Sequence, residues 1–210
     1  MDVSRVMMVD VLLKSDNLLP FFIKESGYFS FETIPMLKEL RRASKGQTTM
    51  VSVERDRVGI SVSQKEMFQH FIVPLSSNDP DDTAHPHISQ KNLVYAKIGT
   101  KTFLAILRNL GNDYVELKSD LETLLFTRGE YKNYYARLTK DHDSLDSLKV
   151  STDDQKSCYS TNYLLNILPH IQGFSDVVEL EYSSDQPLKL AFDTKELAFK
   201  YWIAPRIEVE

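Results

Sequence analysis

The sequence contains few of the residues on which covalent and metal chemistry depend. Its single cysteine, Cys158, excludes an internal disulfide and fits a reducing compartment. Only seven glycines are present, and no glycine-rich loop of the kind that cradles phosphate occurs. No run approaches the roughly 20 apolar residues that a membrane span needs, and the amino terminus lacks the basic-then-apolar pattern of a secretion signal. We therefore expect an ordinary soluble protein with no membrane partner.

Catalytic and metal-binding patterns are also scarce. The histidines show no zinc-ligand spacing except His85-Pro86-His87, which lies in a polar segment and is more typical of solvated linker residues. The acidic segment 141–154 lacks the glycine and glutamate of a calcium loop and predicts a solvated loop. Cys158 falls in a predicted strand, where a lone thiol usually fills core space. The sequence therefore predicts no catalytic residue, metal site or cofactor.

Composition sets broad limits on the fold and its partners. With 42% apolar residues in 210, the chain can bury one large core or two of about 100 residues each. The net charge of −5 argues against coating nucleic acid with the whole surface. It does not exclude a local basic face.

Hydrophobic spacing predicts one unit three times: a strand, a short helix, and two strands around a tight turn. The three copies comprise strand 28–31, helix 34–43 and strands 49–54 and 58–62; strand 93–98, helix 100–110 and strands 114–118 and 122–127; and strand 156–160, helix 162–171 and strands 177–182 and 188–192. Further strands are predicted at 6–13, 67–73, 133–138 and 197–203. The recurrence indicates a duplicated α+β architecture.

The order of these units predicts two similar domains. A segment rich in proline, aspartate, asparagine and histidine separates them and predicts a linker. We expect a first domain at 1–75, a connector at 76–92 and a second domain at 93–210. The first half holds one unit and the second half holds two, so one unit is missing ahead of Met1. We expect either a chain with a shortened first domain or one whose true start lies upstream.

The first predicted helix carries a cationic face. Its basic residues recur at three- and four-residue steps, opposite its apolar residues. They are Lys38, Arg41, Arg42 and Lys45. On its own, this pattern is more typical of a solvated helix face that Glu39 partly compensates.

Both ends of the chain resemble one known family. The closing stretch Tyr201-Trp202-Ile203-Ala204-Pro205-Arg206-Ile207-Glu208 is similar to the end of the sliding clamps of archaea and eukaryotes, the proliferating cell nuclear antigen family. The opening Met1-Asp2-Val3-Ser4-Arg5-Val6 resembles the Met-Asp-Pro-Ser-Arg-Val turn of the same family, with Val3 in place of proline. The middle of the chain matches mainly in the order of its elements. In that family the turn follows an opening strand-helix-strand-strand unit, which the sequence lacks.

The resemblance implies a DNA clamp fold: two similar domains with outer antiparallel β-sheets and inner α-helices, assembled as a ring around duplex DNA. The function it implies is that of a non-enzymatic processivity factor in DNA replication and repair, which contacts phosphates without reading sequence. Basic residues on the first two helices would face the DNA, namely Lys38, Arg41, Arg42, Lys45, Lys101 and Arg108. The third helix departs from the pattern, since its exposed positions hold Asn162, Asn166, Pro169 and His170.

The resemblance also implies two protein interfaces. In a trimer of identical or paralogous subunits, strand 67–73 would pair with strand 133–138 of the next subunit, through contacts of Phe68, Phe71, Ile72, Tyr134 and Tyr135. Polymerase, clamp loader, flap nuclease and ligase would dock short peptide motifs in a pocket by the tail. That pocket would comprise Met1, Arg5, Val6, His87, Ile88, Pro187, Leu188, Trp202, Ala204 and Pro205. Trp202 is equally typical of a core residue.

A different function class remains open on sequence alone. The acidic total and the neutral third helix fit a clamp-derived protein-interaction module that does not itself encircle DNA. An enzyme ranks third because no nucleophile, base or metal set can be assembled. The family implies a cytoplasmic location in archaea, which we favour, and a nuclear one in eukaryotes.

Overall fold

The structure is a computed structural model, and it describes residues 6–18, 20–24, 27, 29–76, 93–111, 113–128 and 134–206. Two compact units make up the chain. The larger unit combines Met1–Phe21 with His87–Glu210, and the smaller unit is Phe22–Pro86.

Strands predominate throughout the described chain, with three α-helices among them. In chain order the elements are β1 (Met7–Leu13), a 3₁₀ turn (Ser15–Asn17), α1 (Thr33–Leu40), β2 (Thr48–Val53), β3 (Arg57–Gln64), β4 (Met67–Pro74), β5 (Val94–Gly99), α2 (Thr100–Leu110), β6 (Tyr114–Ser119), β7 (Thr123–Arg128), β8 (Tyr134–Thr139), β9 (Leu145–Val150), β10 (Gln155–Ser160), α3 (Thr161–Gln172), β11 (Val177–Tyr182), β12 (Leu188–Asp193) and β13 (Leu197–Ile203). All described strand pairs are antiparallel, which confirms the predicted α+β class.

The larger unit contains two sheets. One has the order β1-β13-β12-β11-β5-β9 and the other the order β10-β6-β7-β8. Side chains alternate between their faces: on β11, Val178, Leu180 and Tyr182 are buried, while Glu179 and Glu181 are half-exposed. The inward residues of both sheets form one core together with those of α2 and α3. This burial explains why the sequence pattern located most of these strands.

The opening strand belongs to the larger unit by its hydrogen bonding. β1 pairs with β13 from Met7 opposite Ile203 to Leu13 opposite Leu197. The compact units therefore differ from the sequence-based boundaries, which assign the opening strand to a first domain at 1–75. The expected connector falls almost wholly at 77–92, outside the described residues.

β1 is an edge strand with an apolar inner face that is only partly covered. Val9, Val11 and Leu13 are 45%, 50% and 57% exposed, although Val9 and Val11 lie opposite the buried Tyr201 and Phe199. Apolar side chains this exposed on an edge strand are a liability that proteins usually cover.

The smaller unit has a thin core. Its sheet has the order β2-β3-β4, and its buried apolar residues are Val58, Ile60, Val62 and Val73. α1 contributes no buried residue: Ile34 is 81% exposed, and of the expected apolar face only Met36 packs against the core. The predicted strand at 28–31 is reduced, within the described residues, to an isolated bridge between Phe31 and Leu75.

Two local predictions were wrong. β9 was missed because its acidic and serine residues suggested a loop, yet Leu145 and Leu148 are buried and the strand pairs with β5. The first helix ends at Leu40 rather than Ala43. Beyond Leu40 the N–H groups of Arg42 and Ala43 donate to the carbonyls three residues earlier, which tightens the chain into a turn.

Among the described residues, no group of three or more histidine, cysteine or acidic side chains is arranged to hold a metal ion. In the same part of the chain, no helix combines the length and the apolar character needed to cross a membrane.

Candidate nucleic-acid and docking interfaces

α2 presents a strip of positive charge. Lys101 and Arg108 are both exposed and lie two helical turns apart, so they project from the same side of the helix. The opposite side holds Phe103 and Leu107, both fully buried in the core of the larger unit. Arg108 lies in the last turn, where the carbonyl end of the helix dipole favours a cation.

The basic residues around α1 were expected to share one helix face, but they do not. Lys38 lies on α1, Arg41 caps it, and Arg42 and Lys45 follow its end. All four are exposed. The Arg42 guanidinium forms an ion pair with Glu39 at 3.2 Å and lies 4.8 Å above the Phe71 ring, so its charge is partly engaged within the smaller unit.

α3 has an exposed face without lysine or arginine, as the sequence indicated. The exposed positions are Asn162, Asn166, Pro169 and His170. Its other side carries the buried Leu164 and Leu168, and it packs against α2. Positive charge in the larger unit's helix pair therefore comes from α2.

Two strands proposed for subunit contacts lie at sheet edges. β4 ends the sheet of the smaller unit and β8 ends the four-stranded sheet of the larger unit. Phe68, Ile72 and Tyr135 are 64%, 55% and 65% exposed on these edges. Phe71 instead packs against the small core, and the side chain of Tyr134 lies outside the described part of the chain.

The structure brings several predicted docking residues together at one end of the six-stranded sheet. Val6 accepts a hydrogen bond from the Ala204 N–H at 2.8 Å, and Trp202 lies opposite Lys189 on β12. Val6, Pro187, Trp202, Ala204 and Pro205 are all half-buried. Leu188, however, is fully buried in the core. Met1, Arg5, His87 and Ile88 lie outside the described residues.

The turn before β12 is held from inside the core. The Tyr159 hydroxyl donates to the Gln186 carbonyl at 2.7 Å, which fixes the backbone directly before Pro187. Burial raises the pKa of the Tyr159 phenol, so the hydroxyl keeps its proton and remains a donor. A buried tyrosine in β10 thus supports one wall of the predicted docking surface.

Backbone hydrogen bonds hold the chain beyond β13. The Ala204 N–H donates to the Val6 carbonyl, and the Arg206 N–H donates to the Cys158 carbonyl at 2.8 Å. Pro205 between them has no N–H to offer. The tail therefore leaves one sheet of the larger unit and reaches the edge of the other.

Two sets of polar contacts escaped sequence reasoning. Lys14 donates to the Asp193 carboxylate and the Thr194 carbonyl, and so ties the end of β1 to the turn between β12 and β13. Arg206 forms an ion pair with Asp113. The partners in both sets are distant in sequence, so no spacing pattern could have revealed them.

Comparisons with known proteins point in one direction. No protein-family profile matches the chain. It is similar to the DNA polymerase sliding clamp of Cenarchaeum symbiosum, at 24% identity over 212 residues covering 99% of this chain and 83% of that protein. It is similar to DNA polymerase sliding clamp 1 of Pyrobaculum aerophilum, at 25% identity over 210 residues covering 99% and 84%.

A solved structure shares the fold. The PCNA2–PCNA3 complex of Sulfolobus tokodaii contains a chain that matches with a TM-score of 0.81 and 20% identity, over 99% of this chain and 85% of that one.

Proposed function

We infer that this chain belongs to the sliding clamps of archaea and eukaryotes, the proliferating cell nuclear antigen family, and acts as a DNA polymerase processivity factor. The observation that carries this conclusion is the similarity to sliding clamps over 99% of the chain, together with a clamp fold. A fold alone would not establish function, because one architecture hosts many activities.

The basic residues support a loose grip on DNA. We propose that Lys38, Arg41, Lys101 and Arg108 face the duplex and contact its phosphates. Such contacts are independent of sequence, weakened by salt and compatible with sliding. The neutral exposed face of α3 keeps the total attraction low, so enclosure of the duplex, rather than affinity, would retain the ring on DNA.

Retention on closed DNA tests this function. After loading, the protein should remain on a nicked circular duplex and leave a linear duplex of the same sequence through its ends. Blocking both ends of the linear duplex should restore retention. Equal loss from circular and linear DNA would contradict enclosure and favour an interaction module that does not encircle DNA.

The assembly follows from an internal equivalence. The turn residues Lys65-Glu66 before β4 match Lys195-Glu196 before β13. β4 and β13 are each the last described strand in their half of the chain. β1 and β8 precede equivalent units in the same way. Within the chain β1 pairs with β13, so we propose that β8 of one subunit pairs antiparallel with β4 of the next.

This equivalence also suggests a register. Met8, second in β1, lies opposite Trp202. Their counterparts are Tyr135, second in β8, and Ile72, the sixth residue of β4 as Trp202 is of β13. Both counterparts are exposed and apolar, which suits a contact buried on assembly. Pairing of these edges would produce a ring, which we propose to be trimeric, of identical subunits or paralogues.

Clients would dock beside the tail. We propose that polymerase, clamp loader, flap nuclease and ligase insert a short motif with a glutamine and an aromatic plug. The surface for it includes Val6, Pro187, Trp202, Ala204 and Pro205, which share one end of the six-stranded sheet.

The protein would be non-enzymatic. The relatives named above are archaeal, which supports a cytoplasmic location.

Replacing Ala204 and Pro205 together with bulky polar residues tests the docking surface. Aromatic plugs are usually hot spots, so the change should weaken binding of a client peptide by about 2 kcal/mol or more. Calorimetry measures the affinity, and retention on circular DNA should stay unchanged. Unaltered peptide affinity would mean that clients bind elsewhere.

A further inference from the structure

We propose that Asp113, Tyr114 and Arg206 form a clasp that fixes the course of the chain beyond β13 and thereby sets the affinity of the client site. This role rests on the proposed clamp function, because it assigns positioning residues to the peptide-docking surface. The three residues do not belong to the predicted docking set, and they act through the tail.

Three different contacts hold Arg206 in place. The Arg206 Nη1 donates to Asp113 Oδ1 at 2.9 Å. The Arg206 guanidinium carbon lies 5.1 Å from the centre of the Tyr114 ring, within the range of a cation–π contact. The Arg206 N–H donates to the Cys158 carbonyl at 2.8 Å. These contacts restrain both the side chain and the backbone of Arg206.

The position of the clasp makes these restraints important. β13 ends at Ile203, the Ala204 N–H is bound by Val6, and Pro205 can donate nothing. Arg206 is therefore the point at which the chain is attached to β10, in the second sheet of the larger unit. Without the side-chain contacts, the backbone hydrogen bond to Cys158 is what would remain to hold this residue among the described part of the chain. The tail would then have more conformations to lose on binding a peptide.

Asp113 is itself well placed to act as an anchor. It immediately precedes β6, and its carbonyl accepts the N–H of Thr161, the first residue of α3, at 3.2 Å. Its backbone is therefore fixed where β6 and α3 meet, while its carboxylate reaches the tail. This arrangement transmits the rigidity of the core to a segment outside the sheets.

Each contact is weak alone, and this sets the scale of the effect. The Arg206 and Asp113 side chains are 53% and 55% exposed, so solvent screens the ion pair. Acting together with the aromatic contact, they should alter client affinity by about 3- to 10-fold rather than abolish it. Preorganised sites lose affinity mainly through faster release, so the dissociation rate should account for most of the change.

Charge exchange in the full chain tests the clasp. The probe is a fluorescent synthetic peptide that carries a glutamine and a hydrophobic-aromatic plug, titrated by anisotropy. Arg206→Glu and Asp113→Arg should each weaken binding by the stated factor. The double exchange should recover part of the loss, because it re-forms the ion pair but not the contact of Arg206 with Tyr114. Arg206→Lys should weaken peptide binding less than Arg206→Glu does, because it keeps the charge but loses the planar fork.

The exposed ion pair between Lys118 and Asp154, at 3.1 Å in the same sheet, provides a matched control. Lys118→Glu reverses a charge of this pair away from the tail and should leave peptide affinity unchanged. Thermal midpoints and retention on circular DNA should be the same for all variants, which distinguishes positioning of the tail from loss of structure.

The outcomes separate the two proposals. If the unmodified chain binds the peptide but Arg206→Glu binds equally well, or the double exchange recovers none of the lost affinity, the clasp is overturned and the client function stands. If the unmodified chain does not bind the peptide, both are overturned.

Discussion

Trp202 lies directly opposite Met8 in the ladder between β13 and β1, on the face of the sheet turned away from the core. The neighbouring Tyr201 points the other way and is 2% exposed. The sequence left open whether Trp202 fills the core, and the alternation of β13 places it on the outer surface. A large aromatic residue that is only half-buried there is available for contact with another molecule.

This pair of adjacent aromatics yields a prediction about stability. Tyr201→Ala should lower the free energy of unfolding by about 3 kcal/mol, because it empties a filled core position. Trp202→Ala should cost about 1 kcal/mol at most, since Trp202 lies on the outer face of the sheet and is only half-buried. Urea denaturation compares the two, and peptide titration should show the reverse order of effects. Similar losses of stability would place Trp202 in the core.

The DNA-facing role predicts a change in salt dependence. Lys101→Ala combined with Arg108→Ala should reduce the slope of log affinity against log salt by up to about 2, since each lost phosphate contact removes about 0.9. Binding to duplex DNA measured across a salt series gives the slope.

The control removes two lysines from the outer face of the six-stranded sheet, by Lys149→Ala and Lys200→Ala. These variants have the same net charge as the α2 pair but should retain the original slope. Equal slopes for all three proteins would remove α2 from the DNA interface. Arg41→Ala should reduce the salt slope more than Arg42→Ala does, because the Arg42 guanidinium is already paired with Glu39.

The proposed subunit register predicts a specific cross-link. In a chain with Ile72→Cys and Tyr135→Cys, oxidation should give covalent oligomers that disappear on reduction, because facing residues on antiparallel strands come close enough for a disulfide. A non-reducing gel, with light scattering, measures the product.

Met50 provides the control partner. It is 54% exposed on β2, the opposite edge of the same small sheet, so Met50→Cys with Tyr135→Cys should give little cross-linking. The native Cys158 is buried and should not contribute. Comparable oligomers from both double variants would show that β4 is not the pairing edge.

The turn between β6 and β7 predicts a pH effect on stability. The Thr123 hydroxyl, with the N–H groups of Glu122 and Thr123, donates to the Asp120 carboxylate and holds its pKa below the ordinary value of 3.8. A depressed folded pKa means that this stabilisation is present above pH 3.8 and is lost as the pH falls through the folded value. Asp120→Asn should therefore be less stable than the parent near neutral pH.

Below the folded pKa the two proteins should converge, because the parent carboxyl is then protonated. Urea midpoints at neutral and strongly acidic pH provide the comparison, with Asp143→Asn in an exposed loop as the control. A constant difference at both pH values would contradict a role for the ionised carboxylate.

Sequence reasoning worked where one pattern determined the outcome. The helix at Thr100–Leu110 and the strands at Val177–Tyr182 and Leu197–Ile203 have the predicted bounds, because each buries one regular face in a full core. Gly111 ends α2 with φ of +86°, as a glycine stop should. Prediction from the sequence was less successful around α1, where a thin core leaves the apolar residues of the helix largely exposed.

What escaped prediction depends on long-range pairing. β9 looked like a loop, and only its pairing with β5 makes it a strand. The start of α2 is likewise held by a distant partner, since the Thr100 hydroxyl donates to the Ser175 carbonyl at 3.0 Å. Candidate surface residues could be named from the sequence, although two of them, Leu188 and Phe71, pack in the cores. The clasp and the Tyr159–Gln186 hydrogen bond could not be named, because their partners meet only in the folded chain.

The pairing of β1 with β13 also constrains the order of folding. Met7 is made long before its partner Ile203, so the six-stranded sheet cannot close until β13 has left the ribosome. Closing so long a loop slows folding, and until then Val9, Val11 and Leu13 remain on an unpaired strand. We expect slow refolding from denaturant and a window, before β13 is made, in which the nascent chain is most prone to aggregate.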